Sequence, residues 1–357
     1  MLKKTLMGGN IAIAEGAILA GCQAYFGYPI TPQNDLLEHM SKRMLEERRV
    51  FVQTESELAA INMVYGAAAA GCRAMTSTSS PGFSLQQEGI SYMSGAELPG
   101  VIVNVMRGGP GLGTIGGAQG DYFQSTKGGG HGDYRVINLA PASVQEMMDL
   151  TMLAFELADK YRNPVVVLAD GFLGQAMEPV ITRESVTELP SKPWAITGAQ
   201  GRAKNVINSF EMDPANFPPR VKLLLQKFEK IRQNEVRYEG LNLDDASLVI
   251  VAYGSASRSA LTALRMARQE GLAVGLLRPI TLFPFPYEPL SNLAQRVNNF
   301  LVAELSFGQL IEDVKIAVGL DKRVELVNQY GGVSLSAEEI LEAIVKMAKQ
   351  AIGTCHD

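Results

Sequence analysis

Cys22, Cys72 and Cys355 are the only thiols in this 357-residue chain, and no pair of them has C-x-x-C spacing. That scarcity excludes a disulfide framework and an iron–sulfur cluster built from this chain alone. If electrons leave its reaction singly, another polypeptide must carry them. No window offers ~20 consecutive uncharged apolar residues, so no membrane span is expected. A basic excess is also missing: the net charge is −5 and charged residues make up 19%, which argues against a nucleic-acid partner. The start, MLKKTLMGGNIAIAEGAILAG, sets two lysines before an apolar stretch. Glu15 interrupts that stretch, and the pattern predicts a buried amphipathic helix rather than a cleaved leader. The expectation is a soluble, cytoplasmic protein.

With 46% hydrophobic residues and this length, two α/β domains are expected. In residues 1–185 the runs QAYFG, RRVFVQT, RAMTSTS, GVIVNVMR and PVVVLAD read as buried strands. Helical patterns lie between them, at Asn34 to Leu45, Glu57 to Ala70 and Ser143 to Lys160. Such alternation predicts a mostly parallel, doubly wound sheet covered on both faces. Residues 186–244 break the pattern with LPSKPW and FEMDPANFPPR, then a charged helical stretch, and read as a linker with its own helix. Residues 245–357 resume the alternation with SLVIVAYGS, LAVGLLRP, FLVAELSF, VELVNQY and a closing helix from Ala337, which predicts a smaller βαβ domain.

Three segments carry candidate chemistry. In Phe51 to Gly71 a strand runs into a small-residue helix with Glu57 in its first turn and Gly66 nine residues on. The helix dipole favours a carboxylate there, and on spacing alone a plain first-turn acid is the simpler reading. In Gly27 to Pro32, GYPITP, two prolines stiffen a strand-to-helix loop, and Thr31 before Pro32 is biased toward an extended backbone that presents its hydroxyl. In Val101 to Gly117 a buried strand ends at Arg107, and six of the next ten residues are glycine. An arginine at the carboxyl end of such a strand points into the crevice where open α/β sheets bind ligands, and its fork can hold a carboxylate or make a surface ion pair. Gly111, Gly113 and Gly116 match G-x-G-x-x-G, but the segment that follows is too polar and glycine-rich for a dinucleotide-binding helix. That loop is expected to fold over a cofactor or dock on a partner. His131 and Asp133 in GGGHGD could orient substrate, although a loop histidine is more often structural.

Taken in order, YPITP, FVQTESELAAINM, TSTSSPGFSLQQEGISYMSGAELPGVIVNVMRGGPGLGT, QGDYFQSTKGGGHGD, PVVVLADGFLG, LLRPITLFPFP and VAELSFGQL resemble, nearly end to end, the α subunits or domains of 2-oxoacid:ferredoxin oxidoreductases. The resemblance implies a thiamine-diphosphate pyrimidine-binding domain followed by a transketolase C-terminal-like domain. It implies that Glu57 bonds the aminopyrimidine and promotes the tautomer that takes the cofactor's C2 proton. Glu55, two residues earlier, fits the spacing less well. Tyr28, Pro29 and Ile30 are implied to line the cofactor, Thr31 to contact substrate, and Arg107 to hold the 2-oxoacid carboxylate. The implied reaction is oxidative decarboxylation to an acyl-CoA, with coenzyme A as co-substrate and electrons delivered to an external ferredoxin.

A G-D-G…N segment for Mg²⁺ and diphosphate is absent: Gly120-Asp121, Gly132-Asp133 and Asp170-Gly171 lack the rest of the pattern. Thiamine diphosphate is therefore expected to be shared with a β-type subunit that also binds Mg²⁺. The resemblance adds a γ-type subunit and a ferredoxin-like iron–sulfur subunit. The GGPGLGT loop is more similar to the branched-chain (3-methyl-2-oxobutanoate) members than to the 2-oxoglutarate members, which stand as the alternative. Less favoured are a non-catalytic subunit and a transketolase- or E1β-like enzyme.

Overall fold

The computed structural model describes residues 4–353, with side chains through residue 350, so Cys355 lies outside the described residues. A seven-stranded sheet forms the first core, in the order Thr281–Phe283, Ile137–Leu139, Pro164–Asp170, Gly100–Met106, Ala74–Thr78, Ala24–Gly27, Val50–Gln53. Every pairing in it is parallel except that of Thr281–Phe283 with Ile137–Leu139. All seven residues of Gly100–Met106 and of Pro164–Asp170 are buried, as an apolar run covered by helices on both faces requires.

Ala24–Gly27 pairs with both Val50–Gln53 and Ala74–Thr78. The chain leaves it toward one edge and returns on its other side, so the loop that follows, GYPITP, opens at a topological switch point, where open α/β sheets bind ligands.

The second core is a five-stranded sheet in the order Arg323–Asn328, Asn299–Glu304, Leu248–Ala252, Val274–Pro279, Tyr238–Leu241, of which only the last strand runs antiparallel. The helix of the 186–244 stretch is Phe217–Asn234, and the strand Tyr238–Leu241 that follows already belongs to the second sheet. Thr281–Phe283 crosses back to extend the first sheet, which ties the two cores together.

The helix Gly9–Leu19 is not amphipathic. All its residues but Ile11 and Glu15 are buried, because it lies between Val144–Tyr161 on one side and Asn34–Glu46 on the other. Glu15 meets His39 Nε2 at 2.6 Å and Arg43 Nε at 2.8 Å, which satisfies the one charge it carries inward. Among the described residues no helix is long and apolar enough to cross a membrane.

Candidate active site

Four loops at the carboxyl ends of the parallel strands converge on the switch point, and backbone and side-chain bonds fix each of them. After Ala24–Gly27, the GYPITP loop is anchored from below by a buried chain in which Tyr25 Oη lies 2.6 Å from Ser77 Oγ, Ser77 donates to Gln33 Oε1 at 2.6 Å, and Gln33 Nε2 donates to the Tyr28 carbonyl. Asn10 and Gln175 donate to the Pro32 carbonyl at 2.8 and 2.9 Å. Tyr28 and Pro29 stay exposed at the rim and Ile30 is half-buried. The Thr31 hydroxyl accepts only a long 3.3 Å bond from Asn34 Nδ2.

After Val50–Gln53, the Thr54 N–H donates to the Gly27 carbonyl at 2.9 Å, stitching the second loop to the first. Ser56 caps the next helix by accepting the Ala59 N–H at 3.2 Å, which leaves Glu57 as its first residue. Glu57 is only 5% exposed, yet among the described residues no hydrogen bond reaches its carboxylate. It packs instead against Thr78 and Gly82 at the start of helix Ser80–Gly95. With no protein donor, its carboxylate acceptors are left for water or a ligand entering the crevice. Its neighbour Glu55 is exposed and takes the Ser56 hydroxyl at 3.1 Å.

Arg107 follows Gly100–Met106. Its Nη1 donates to the Thr31 carbonyl at 2.9 Å and its Nη2 to the Leu112 carbonyl at 3.2 Å, while its Nε is buried without a partner. Among the described residues Arg107 forms no ion pair: two carbonyls aim the guanidinium, and Nε–H and the second N–H of each terminal nitrogen are left without a protein acceptor. Its backbone N–H donates to Ser80 Oγ at 3.1 Å. Thr31 and Arg107 are thus in direct contact, and Glu57 joins them through Gly82, two residues beyond Ser80.

The glycine-rich loop docks on this chain's own second core. Gly108 and Gly116 lie so close to Gly331 and Gly332 that a Cβ on either would collide with backbone. Gln119 exchanges bonds with the Leu305 backbone at 2.8 and 3.0 Å and donates to the Tyr253 carbonyl at 2.9 Å. No strand-to-helix phosphate turn is formed, and the helix that follows, Tyr122–Thr126, has five residues. His131 and Asp133 are exposed; the His131 ring meets the edge of Tyr92, and its carbonyl accepts from Ser91.

Ser80, Gly82 and Asn104 belong to this site and were not singled out in the sequence, and Asp121, also here, was weighed there only as part of a metal motif. Asn104 carried a signal, as the one polar side chain inside GVIVNVM. Among the described residues no group of three or more His, Cys, Asp or Glu side chains is placed to hold a metal ion. Asp170 is taken up by the N–H groups of Leu173 and Ser255, at 3.1 and 2.8 Å. A separate cavity of about 740 Å³, lined by Arg135, Arg232, Phe283, Tyr287 and others, shares no residue with the crevice; the carboxylates of Glu229, Glu288 and Asp313 balance its basic groups.

The orphaned Glu57 carboxylate and Arg107 Nε suit a cofactor with a basic ring nitrogen and a carboxylate substrate, which is the demand of a thiamine-diphosphate enzyme. Residues 15–217 match the thiamine-diphosphate-binding domain of pyruvate flavodoxin/ferredoxin oxidoreductases, and residues 246–340 match core domain II of pyruvate:ferredoxin oxidoreductase. The chain belongs to the 2-oxoacid:ferredoxin oxidoreductase family, as an α-type subunit.

Among its relatives, the ketoisovalerate oxidoreductase subunit VorB of Methanothermobacter thermautotrophicus is 54% identical, over 96% of this chain and 97% of that protein. The 2-oxoglutarate synthase subunit KorA of Methanocaldococcus jannaschii is 39% identical, over 96% and 100%. The solved 2-oxoglutarate:ferredoxin oxidoreductase of Magnetococcus marinus, with 2-oxoglutarate, coenzyme A and succinyl-CoA bound, superposes with a TM-score of 0.87 at 26% identity. That match covers 97% of this chain but only 65% of the other. A split-gene transketolase shares the fold alone, with a TM-score of 0.59 at 15% identity.

Proposed function

We propose that this chain supplies the pyrimidine-activating half of a thiamine-diphosphate site in a branched-chain 2-oxoacid:ferredoxin oxidoreductase, with 3-methyl-2-oxobutanoate as the preferred substrate. The observation that carries the reading is Glu57, a 5% exposed residue whose carboxylate has no hydrogen-bond partner among the described residues, in the same crevice as Arg107, whose Nε is buried and unpaired. The higher identity to the ketoisovalerate subunits, 54% against 39% for a 2-oxoglutarate subunit, supports the branched-chain preference.

When bound, thiamine diphosphate supplies the nucleophilic carbon that attacks the keto group and stores the electron pair released with CO₂. Glu57 would hold a proton against the aminopyrimidine ring nitrogen, with Tyr28, Pro29 and Ile30 forming the rim around that ring. Arg107 would take the substrate carboxylate on Nε and its outer edge, and the Thr31 hydroxyl, weakly engaged within the chain, would donate nearby. Coenzyme A would accept the acyl group in the cytoplasm, and two electrons would pass one at a time to an external ferredoxin.

Mg²⁺ and the diphosphate would sit on a β-type subunit, since Asp121 and Asp170 are engaged within this chain. Iron–sulfur clusters would sit on a ferredoxin-like subunit, with a γ-type subunit completing the complex. The outward faces of helices Glu57–Ala69 and Ser80–Gly95 support such docking: Leu58, Met63, Leu85 and Tyr92 are exposed there, and Glu88 is the sole exposed charge on the two helices. Titration calorimetry tests the split site. This chain alone should bind thiamine diphosphate weakly with or without Mg²⁺, and tight binding should appear only with the β-type subunit. Strong Mg²⁺-dependent binding by the isolated chain would overturn the proposal. Turnover of the complex on 3-methyl-2-oxobutanoate against 2-oxoglutarate decides the substrate.

A further inference from the structure

Asp121 stands at the N-cap of helix Tyr122–Thr126, where an aspartate ordinarily accepts a helix N–H, yet its side chain makes no such bond. Its Oδ2 turns instead toward the end of strand Gly100–Met106, where it accepts the Ser80 hydroxyl at 2.6 Å and Asn104 Nδ2 at 2.8 Å. Asn104 Oδ1 in turn accepts the Ser80 N–H at 3.0 Å, which closes a three-residue ring. Asn104 is fully buried within a strand whose other members are all apolar or glycine, and among the described residues its side-chain hydrogen bonds all lie inside this ring.

The ring acts on Arg107. Ser80 Oγ accepts the Arg107 N–H at 3.1 Å and lies 3.2 Å from the Arg107 carbonyl. The Ser80 hydroxyl has one hydrogen, and the shorter, charge-assisted bond to Asp121 claims it. Its lone pairs are thereby oriented toward the Arg107 N–H. Ahead of that anchored backbone, the guanidinium is held only by the Thr31 and Leu112 carbonyls, both on loops. Without Asp121 the Ser80 hydroxyl is free to rotate toward the Arg107 carbonyl, and the strand end loses its fixed acceptor.

We propose that Asp121 is a positioning residue for Arg107, acting through Ser80 and Asn104 to fix the strand end from which the guanidinium meets the 2-oxoacid carboxylate. This rests on the substrate role proposed for Arg107. Its role is positioning rather than catalytic, since the bonds of its carboxylate run to Ser80 and Asn104.

The test is a double-mutant cycle in the assembled complex. Asp121→Ala, which removes the acceptor of both Ser80 and Asn104, should raise KM for the 2-oxoacid about tenfold with bound thiamine diphosphate unchanged. Asp121→Asn keeps an oxygen that accepts from both Ser80 and Asn104, and should restore most of the loss. Added to Arg107→Ala, Asp121→Ala should cost under about twofold more, because the group it positions is already gone. An equal factor in both backgrounds, or an unchanged KM in Asp121→Ala, overturns the proposal. If Arg107→Ala alone leaves KM unchanged, the substrate assignment of Arg107 fails. Hydrogen–deuterium exchange of the peptide carrying Arg107 then decides the Asp121 link: faster exchange in Asp121→Ala than in wild type and Asp121→Asn supports it, and unchanged exchange overturns it.

Discussion

Glu57 fills the space that a Cβ on Gly82 would need: its Oε1 and Cγ, with Thr78 Oγ1, crowd that position. The glycine is therefore a seat for the carboxylate, set two residues after the Ser80 that steadies Arg107. Gly82→Ala gains ~0.5–1 kcal/mol of helix propensity in a neutral context. Here overpacking should outweigh that gain, lowering stability by ~1–3 kcal/mol and turning Glu57 out of place. Thermal unfolding and turnover of the assembled complex check both halves. A stabilised variant with wild-type turnover would show that the seat is not tight.

Arg107→Ala should raise KM for the 2-oxoacid and lower kcat/KM by a large factor with cofactor content unchanged, as expected when a charge-assisted contact of ~1.5–3 kcal/mol is lost. Arg107→Lys should recover little. Lysine supplies a point charge, whereas Arg107 spends two nitrogens on the Thr31 and Leu112 carbonyls and still offers Nε. Steady-state kinetics with measured cofactor occupancy separates this result from misfolding, and unchanged kinetics would make Arg107 a structural clamp between loops.

Glu15 gives the fold a pH dependence. Burial pushes its carboxyl pKa up, but the hydrogen bonds from His39 and Arg43, with their charges, outweigh that and hold it below the usual glutamate range. A depressed folded pKa means that stability is present above the unfolded value of roughly 4.3 and is lost as pH falls through the lower folded one. Glu15→Gln should therefore be less stable than wild type at pH 7, by ~1 kcal/mol or more. The gap should narrow as the pH drops below the carboxylate range. Denaturant unfolding at several pH values measures it, and a gap that does not change with pH would show that the carboxylate charge is not what stabilises.

The strand ladder was legible because GVIVNVM and PVVVLAD are short, β-branched and too apolar for a surface, and the parallel sheet follows from their alternation with helices. Local pattern could not reveal pairings that tertiary contact alone creates. Lys4–Gly8 pairs with Met177–Ile181 across most of the first core, and Thr281–Phe283 is a three-residue strand that leaves its own domain to pair with Ile137–Leu139. The helix Gly9–Leu19 read as amphipathic because a lone glutamate looks like a solvent face, whereas Glu15 meets its cations inside the protein. At the site, Thr31, Glu57 and Arg107 stood out by motif. Ser80, Asn104 and Asp121 did not, since they are 17 to 41 residues apart in the chain and act only through one another.

Glu57 and Glu55 are separated by one residue and by opposite environments, and the reading of the site depends on which one acts. Glu55 is exposed and already accepts a hydrogen bond, from the Ser56 hydroxyl. Glu57 is buried, unpaired among the described residues, and packed on Gly82. A carboxyl group that shares a proton with a ring nitrogen needs the second environment, because water would otherwise compete for the bond. Glu57→Gln keeps size and helix position, so the fold and complex assembly should be intact. The amide cannot take part in the proton transfer, and exchange of the cofactor's C2 proton should slow by roughly 10²–10⁴-fold. Glu55→Gln should change it little. Quenched-flow NMR of C2 hydrogen–deuterium exchange in the assembled complex measures both. Wild-type exchange in Glu57→Gln would reduce Glu57 to a first-turn acid, and slow exchange in Glu55→Gln would move the role to the exposed neighbour.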